Sequence, residues 1–354
     1  MVPQTAVRVN VCVFGSGPAA AISAWMARQA TSSVLWVGGE WGGLLRPFRH
    51  GCATFNPFPV FPVRESPVYH RLGLHQYAAD ASDVQAHEWG DWRDKADATW
   101  LPKSLLAYQA AQGAGRGMAR SLKLFGPKAG ERPLPLVQAK FTAHYGPERP
   151  QWTRVGYVKG LSVYTHWMLG TSSRPDIHGA VSRLDLPRRV LSIGDVDIAY
   201  DLLIACVPLP DLLKVAGMVP QLAFDSGEAR FSVFCAAEFT VANHLLYDDR
   251  SDSPFYRVFV PLEQYVIVQF AAGRTPESVD YTRLWEKFGV RMANWVADLH
   301  VPTAYPLGPD GAAIETTRSD LRALGVVLCG RLAEWRYIDL HEVDWGAIRA
   351  AVEH

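Results

Sequence analysis

The chain predicts an α/β fold: a parallel β-α-β opening, an antiparallel sheet later in the chain, and a return to a strand and helix near the C-terminus. Three observations lead there. Val9–Phe14 is a short β-rich apolar run, broken by Gly15–Pro18 and followed by a helix of small residues, Ala19–Gln29, and a second apolar run, Ser33–Val37. Phe231–Ala237, Tyr256–Val260 and Tyr265–Ala271 alternate with the period of strands in an antiparallel sheet. Leu324–Cys329 is a last apolar strand, followed by Gly330-Arg331 and a helix from about Leu340.

Between these anchors the reading follows local chemistry. Trp41–Val63 is rich in Gly, Pro and Phe, which suits a coil crossing the domain better than a regular element. Residues from about Pro67 to Gln138 are richer in charge, Trp and Ala, and predict an inserted, mainly helical cap with helices near Asp91–Ala98 and Leu105–Leu124. A Pro-rich stretch, Gly126–Val137, closes it. Arg189–Ile193 and Asp195–Tyr200 predict a hairpin around Gly194, and Leu202–Val207 a separate strand ending at Pro208-Leu209-Pro210. After the break at Gly273–Pro276, the changed period predicts a helix over Asp280–Leu299 carrying Trp285, Phe288 and Trp295.

Composition narrows the function classes. Lys+Arg and Asp+Glu balance at 35 each, so no global charge draws the chain toward nucleic acid or an anionic membrane. It holds no uninterrupted apolar run of about 18 residues and no signal-peptide pattern, so the expectation is a cytoplasmic protein away from membranes. The five cysteines (Cys12, Cys52, Cys206, Cys235, Cys329) lack any metal or redox spacing and read as buried free thiols, Cys52 apart. The histidines form no HExxH or Cys/His pairing, so no metal is expected. No GxSxG elbow occurs.

Gly15-Ser16-Gly17-Pro18-Ala19-Ala20 fits GxGxxG/A directly after a strand and at a helix start. Gly15 permits the tight turn, Gly17 lets the backbone approach a pyrophosphate, and Ala20 lets helix and strand pack closely. The helix start offers N–H groups and the positive end of its dipole to phosphates. This predicts a dinucleotide site at Gly15, Gly17, Pro18 and Ala19. An acidic residue at the end of the second strand commonly holds the ribose. Glu40 is the candidate, two or three residues late, and reads equally as a solvated loop charge.

Further along, Gly42-Gly43-Leu44-Leu45-Arg46 resembles the Gly-Gly crossing and following Arg of the FAD-binding amine oxidase superfamily, which includes protoporphyrinogen-oxidase-like proteins and UDP-galactopyranose mutases. The resemblance continues through His50–Phe55, Lys159-Gly160, Val181-Ser182-Arg183-Leu184, Tyr200–Pro210 and Pro254-Phe255-Tyr256-Arg257-Val258. Tyr305-Pro306 and Gly330–Leu340 complete it; the last is similar to the mutase ending Gly-Arg-x-x-x-Trp-x-Tyr-x-Asn-Met-Asp. The family's Asp-x-Gly-x-His is Asn56-Pro57-Phe58-Pro59 here, and its Asn-Met-Asp is Asp339-Leu340-His341.

What the resemblance implies is a Rossmann-type FAD-binding domain in three pieces (residues 1–66, 151–217 and 301–354), a cap over 67–150, and a substrate-domain sheet and helix over 218–300. It implies FAD contacts at Gly42, Gly43, Leu44, Arg46, Val181, Gly330, Arg331, Asp339 and Leu340. Arg257 would anchor an anionic substrate group, with Tyr256, Tyr305 and Tyr337 shaping the cavity. The reaction it implies is FAD-dependent oxidation of a C–N or C–C bond in an amine or amino-acid-like group of a small or carrier-linked substrate. Three alternatives stand beside it: a mutase using reduced flavin on a nucleotide sugar, a flavin enzyme tailoring a modified base or nucleic acid, and a chain that kept the fold and lost the flavin.

Overall fold

The computed structural model describes residues 5–39, 43, 48–55, 85–89, 99–101, 123–126, 174–219, 222–236, 244–248, 253–262, 265–282, 284–285, 293–307, 311–338 and 340–353. In chain order, β1 (Thr5–Phe14), α1 (Pro18–Ala30) and β2 (Val34–Gly38) come first, followed by the short antiparallel pair β3 (Phe48–His50) and β4 (Ala53–Phe55). Next come β5 (Gln85–Trp89), β6 (Thr99–Leu101), β7 (Ile177–His178), β8 (Val181–Asp185), β9 (Val190–Ile193), β10 (Val196–Ala205) and α2 (Leu209–Val215). Then β11 (Asp225–Ala236), β12 (His244–Asp248), β13 (Phe255–Leu262), β14 (Tyr265–Phe270) and β15 (Ala293–Leu307) follow, and α3 (Gly311–Ala323), β16 (Val326–Leu328) and α4 (Trp345–Glu353) complete the described elements. The chain divides into two units, one of Met1–Arg46, Tyr164–Asp225 and Pro306–His354, the other of Pro47–Val163 and Ser226–Tyr305.

Unit 1 is a mixed α/β unit. Its seven-stranded sheet has the order β7-β2-β1-β10-β9-β8, with β16 also on β10. β1 pairs parallel with both β2 and β10, and β16 pairs parallel with β10, so the centre of the sheet is parallel. Strands covered on both faces need near-continuous apolar runs. The second halves of β1 and β10 supply them, with Val11, Cys12, Val13, Leu203, Ile204 and Ala205 all buried. α1 packs through Ile22 and the small residues Ala20, Ala21, Ala24 and Ala27, and the alanines let the helix lie close to the strands. Pro18 opens it at a position where a missing N–H costs nothing. At the C-terminal end of α1, Arg28 pairs with Asp176, whose Oδ2 also accepts from the Trp36 N–H at 2.7 Å. That carboxylate ties the helix end and β2 to the β7 edge.

Unit 2 is built on a second seven-stranded sheet, in the order β15-β11-β14-β13-β12-β5-β6. β11, β14, β13 and β12 pair antiparallel in turn, and β5 joins parallel to β12. Phe255, Val258, Val266, Val268, Phe270, Phe234 and Ala236 form a core with Leu284, against which Tyr281 and Trp285 pack. Tyr281 stacks on Trp285 with ring centroids 5.5 Å apart, and Phe234 meets both rings edge-on. Such ring pairs add about 0.5–1.5 kcal/mol each beyond the area they bury. Because side chains alternate across a strand, the cross-strand pair Arg257 and Gln269 points to the opposite face from that core.

Three sequence expectations change. β10 is one strand, where a hairpin arm to Tyr200 and a separate strand from Leu202 were expected. Asp201, at the expected break, lies exposed and pairs with Arg8 at 3.0 Å, so the backbone runs on beneath it. The hairpin around Gly194 itself is present, with that glycine at φ +53°. Within the helix expected over Asp280–Leu299, Thr282, Leu284 and Trp285 are helical, whereas Ala293–Leu307 is strand; residues 286–292 lie outside the described residues. β15 lies beside β11 in the unit 2 sheet, and strand pairing of this kind overrides helical spacing of aromatic residues. In the span expected to form a helical cap, Gln85–Trp89 and Thr99–Leu101 are strands of the unit 2 sheet, and residues 123–125 form a helical turn. The helix expected at Asp91–Ala98 and most of that at Leu105–Leu124 lie outside the described residues. Among the described residues no helix is long and apolar enough to cross a membrane.

Candidate functional site

In unit 1 the turn between β1 and α1 sits where backbone meets backbone. Gly15 has φ +144°, a conformation L side chains rarely adopt, and a Cβ there would lie 2.9 Å from Cys206 Cβ. Its N–H donates to the Val37 carbonyl at 2.9 Å, and its carbonyl accepts from the indole N–H of Trp36 at 2.7 Å. A Cβ on Gly38, at the end of β2, would run into that same Gly15 carbonyl. Gly43 lies against Gly17: at φ +51°, a Cβ on Gly43 would stand 3.1 Å from Gly17 Cα. Gly330, at φ +96°, comes against Ala19, whose Cβ would be 2.9 Å from any side chain placed there. Four segments distant in sequence thus converge on the α1 N-terminus through positions with no room for a side chain. No side chain caps that terminus, and its first turn holds no acid.

Two ionisable groups lie near the turn, Cys206 and Glu334. Cys206 and Cys329 end the paired strands β10 and β16, and the buried Ser23 hydroxyl lies 3.9 Å from the first sulfur and 3.3 Å from the second. Burial, and then the neighbouring Cys329, push the Cys206 thiol well above its ordinary value. Burial likewise pushes the Glu334 carboxyl up, against the pull of its bonds to Gly330 N–H and Arg336. Burial thus makes both groups harder to ionise than they would be in water.

The Gly330–Leu340 segment is braced on itself. Glu334 N–H donates to the Gly330 carbonyl and Arg336 N–H to that of Arg331, and Arg331 Nε donates to the Ile338 carbonyl at 2.7 Å. The Arg331 guanidinium lies over the Tyr337 ring, 5.3 Å from its centroid. Trp335 takes φ +49° and is held there by its indole N–H on the Leu307 carbonyl and by Phe224 edge-on at 5.1 Å. Arg318 also donates to the Glu334 carbonyl. Leu340 begins a short 3-10 turn and accepts from Trp345 Nε1. Val181, at the start of β8, packs half-buried against the unit 1 core opposite Ile193.

Unit 2 gathers a different set. Arg257 Nε donates to Gln269 Oε1 at 2.5 Å, Gln269 Nε2 donates to the Tyr305 hydroxyl at 2.9 Å, and the Arg257 guanidinium lies 5.6 Å from the centroid of the Tyr256 ring. Phe125 meets the Tyr305 ring edge-on. Lys123, 5% exposed, reaches the Phe255 carbonyl at 2.5 Å. His50 and Tyr265 are joined at 3.1 Å.

Of the residues expected from sequence, unit 1 brings together Gly15, Gly17, Pro18, Ala19, Gly43 and Gly330, with Arg331 following and Tyr337 touching Arg331. Unit 2 brings together Arg257, Tyr256 and Tyr305. Glu40, Gly42, Leu44, Arg46 and Asp339 lie outside the described residues, as do Asn56–Pro59. Sequence reasoning missed Trp36, Gly38, Lys123 and Gln269. Gln269 left a trace, being the one polar residue of the strand Tyr265–Phe270, which is buried throughout. Among the described residues no group of three or more His, Cys, Asp or Glu side chains is arranged to hold a metal ion.

No protein-family model matches the chain, and no curated protein sequence matches it. Solved structures do. A conjugated-linoleic-acid-producing fatty acid isomerase from P. acnes superposes with TM-score 0.66 at 11% identity, over 98% of this chain and 97% of that one. Cyclohexylamine oxidase from Brevibacterium oxydans gives 0.63 at 11% identity, over 98% and 97%. Putrescine oxidase in complex with putrescine gives 0.58 at 13% identity, with the same coverage of both chains. At such identities the likeness is one of architecture, and it runs the length of both molecules: the chain shares the fold of these solved structures.

Proposed function

We propose that the chain is an FAD-dependent oxidoreductase whose Rossmann-type unit 1 binds the cofactor and whose unit 2 sheet binds a small substrate. The observation that carries this reading is the side-chain-free cradle at the α1 N-terminus, where a Cβ on Gly15, Gly38, Gly43 or Gly330 would strike a neighbour. Backbone N–H groups brought close at an uncapped helix start suit the pyrophosphate of a dinucleotide. Gly15, Gly17, Pro18, Ala19 and Gly43 would hold that end, with Gly42, Glu40, Leu44, Arg46 and Val181 completing it. Gly330, Arg331, Asp339 and Leu340 would meet the flavin end. An Arg held rigidly by Ile338 and Tyr337 would stabilise negative charge there.

Bound FAD would supply the capacity to accept two electrons from the substrate, which no amino-acid side chain has. The chain's own residues would bind and orient: Arg257 would hold an anionic group, with Tyr256 and Tyr305 shaping the site around it. The substrate class that fits is an amine or amino-acid-like compound oxidised at a C–N or C–C bond. The test is the absorption spectrum of the purified protein, followed by anaerobic titration with amines and amino acids. Visible flavin bands that bleach on adding substrate, without dithionite, are the expected result. A colourless protein that gains no bands with added FAD would overturn the proposal.

A further inference from the structure

Trp36 is buried in β2 and anchored through both its main chain and its side chain. Its main-chain N–H donates to Asp176 Oδ2, and the same carboxylate accepts from Arg28 at 2.7 and 2.8 Å. Its indole N–H donates to the Gly15 carbonyl at 2.7 Å. The Gly15 N–H is engaged as well, by the Val37 carbonyl at 2.9 Å. Both main-chain groups of Gly15 are therefore spent inside the protein. Its carbonyl, however, shares one planar unit with the N–H of Ser16, and in a trans peptide the two point in opposite directions. Holding the carbonyl toward β2 thus holds the Ser16 N–H away from β2.

Glycine by itself does not hold that plane. With no Cβ it adopts both hands of φ about equally, and the Gly15–Ser16 peptide can turn over through compensating changes in Gly15 ψ and Ser16 φ. Turned over, the unit would present a carbonyl oxygen where it now presents an N–H, and would repel the anion that the N–H attracts. We propose that Trp36 is a positioning residue that locks this peptide in its N–H-presenting state, making the Ser16 main chain a donor to the cofactor's pyrophosphate. The inference rests on reading the turn as the dinucleotide site, and it deepens that reading by naming a donor and the residue that sets it. An indole N–H suits a lock of this kind because it donates and never accepts. It is satisfied by the Gly15 carbonyl, whereas the overturned peptide would set the Ser16 N–H against it, donor facing donor in a buried place. Gly38 leaves the room this needs, since a Cβ there would stand 2.4 Å from the Gly15 oxygen. Asp176, by fixing the Trp36 main chain, keeps the ring from withdrawing.

The test uses the full chain, freed of any bound flavin and labelled with nitrogen-15 serine, with FAD and ADP as the probes. The Ser16 amide resonance is identified by its disappearance in Ser16→Ala. In wild type it is expected to move downfield when either nucleotide binds, a result that needs no altered protein. Two changes at position 36 then remove the lock: Trp36→Phe, and benzothienylalanine introduced at that position alone, which keeps the shape of the ring and puts sulfur where the N–H stands. Each is checked by near-ultraviolet circular dichroism for intact packing. Both are expected to bind FAD and ADP about tenfold more weakly by calorimetry, as follows if the N–H-presenting state falls to about one tenth of the population. A merely structural role for Trp36 would lower the unfolding midpoint and leave the nucleotide affinity of the folded variants unchanged. A Ser16 amide unmoved by a nucleotide that binds, or folded variants that bind both nucleotides as tightly as wild type, would overturn the proposal. FAD binding with Ser16 unmoved would overturn this inference alone; ADP binding with the expected shift and no binding of FAD would overturn the flavin reading alone. Binding of neither nucleotide to wild type would overturn both.

Discussion

The Gly15 turn of unit 1 and the Gln269 relay of unit 2 are made of different material. At the turn, five glycines and an alanine bring main chain against main chain, and the contacts depend on what is missing from each residue. At the relay, three long polar side chains meet across two strands and an edge, and the contacts depend on what each side chain carries. A site of the first kind has no tolerance for volume and little interest in polarity. The second has the opposite sensitivities, because its geometry is spanned by rotatable bonds while its donors and acceptors must match.

Adding volume at the turn should produce the largest effect. Gly38→Ala places a methyl group against the Gly15 carbonyl, and overpacking of a rigid backbone contact costs about 1–3 kcal/mol or more. Urea unfolding is expected to show that loss, and the purified variant should carry little or no flavin; a fully flavinated, equally stable Gly38→Ala protein would break the contrast. Next comes Trp36→Phe, which keeps most of the volume but leaves the Gly15 carbonyl without its indole donor. An unsatisfied buried acceptor costs about 1–3 kcal/mol, visible in the same unfolding curves. On the other side, Gln269→Leu is nearly isosteric, so it should cost about 1–2 kcal/mol and leave the flavin content of the purified protein unchanged. Loss of flavin in that variant would mean that the two sites are not separable in the way their construction suggests.

Glu334 sharpens the comparison through pH. Its folded carboxyl is held above the ordinary glutamate value of 4.5, first of all by burial. Between the unfolded value and the higher folded one the native state binds more protons, so stability falls as pH rises through that window. Glu334→Gln is expected to flatten the fall and to leave the protein as stable as wild type, or more so, at neutral pH, in denaturant titrations from the acid range to pH 7. The smallest effect belongs to Tyr200→Phe. The Tyr200 hydroxyl is buried in the unit 1 core and has no hydrogen-bond partner among the described residues. Removing it should raise stability by up to about 1 kcal/mol; a loss instead would reveal a partner the hydroxyl depends on.

These differences also explain what could be read in advance. The β1-turn-α1-β2 opening was legible because glycine at Gly15, Gly17 and Gly43 has few other reasons to occur in that order, and main-chain geometry leaves its mark as residue identity. Arg257 and Tyr305 were legible only through resemblance. Gln269 was not, because a single amide in Tyr265–Phe270 becomes meaningful only when Arg257 and Tyr305, 12 and 36 residues away, are known to reach it. The misreading of Asp280–Leu299 has the same root. Helical spacing of Trp285, Phe288 and Trp295 is local information, whereas pairing of Ala293–Leu307 onto the sheet is decided by a distant strand.

The pairing of β1 with β10, from Thr5 with Val196 to Phe14 with Ala205, and the approach of Gly330 to Ala19 carry a consequence for how the protein is made. On the ribosome, β1, α1 and β2 emerge together and can associate at once. The central strand that must lie beside β1 is not synthesised until almost 200 residues later, and the glycine that abuts the helix start comes nearer the end still. The nascent opening therefore waits with β1 uncovered on one edge, and the cradle closes only after Gly330 has been made. Folding of the opening is expected to lag its synthesis until β10 and Gly330 have emerged.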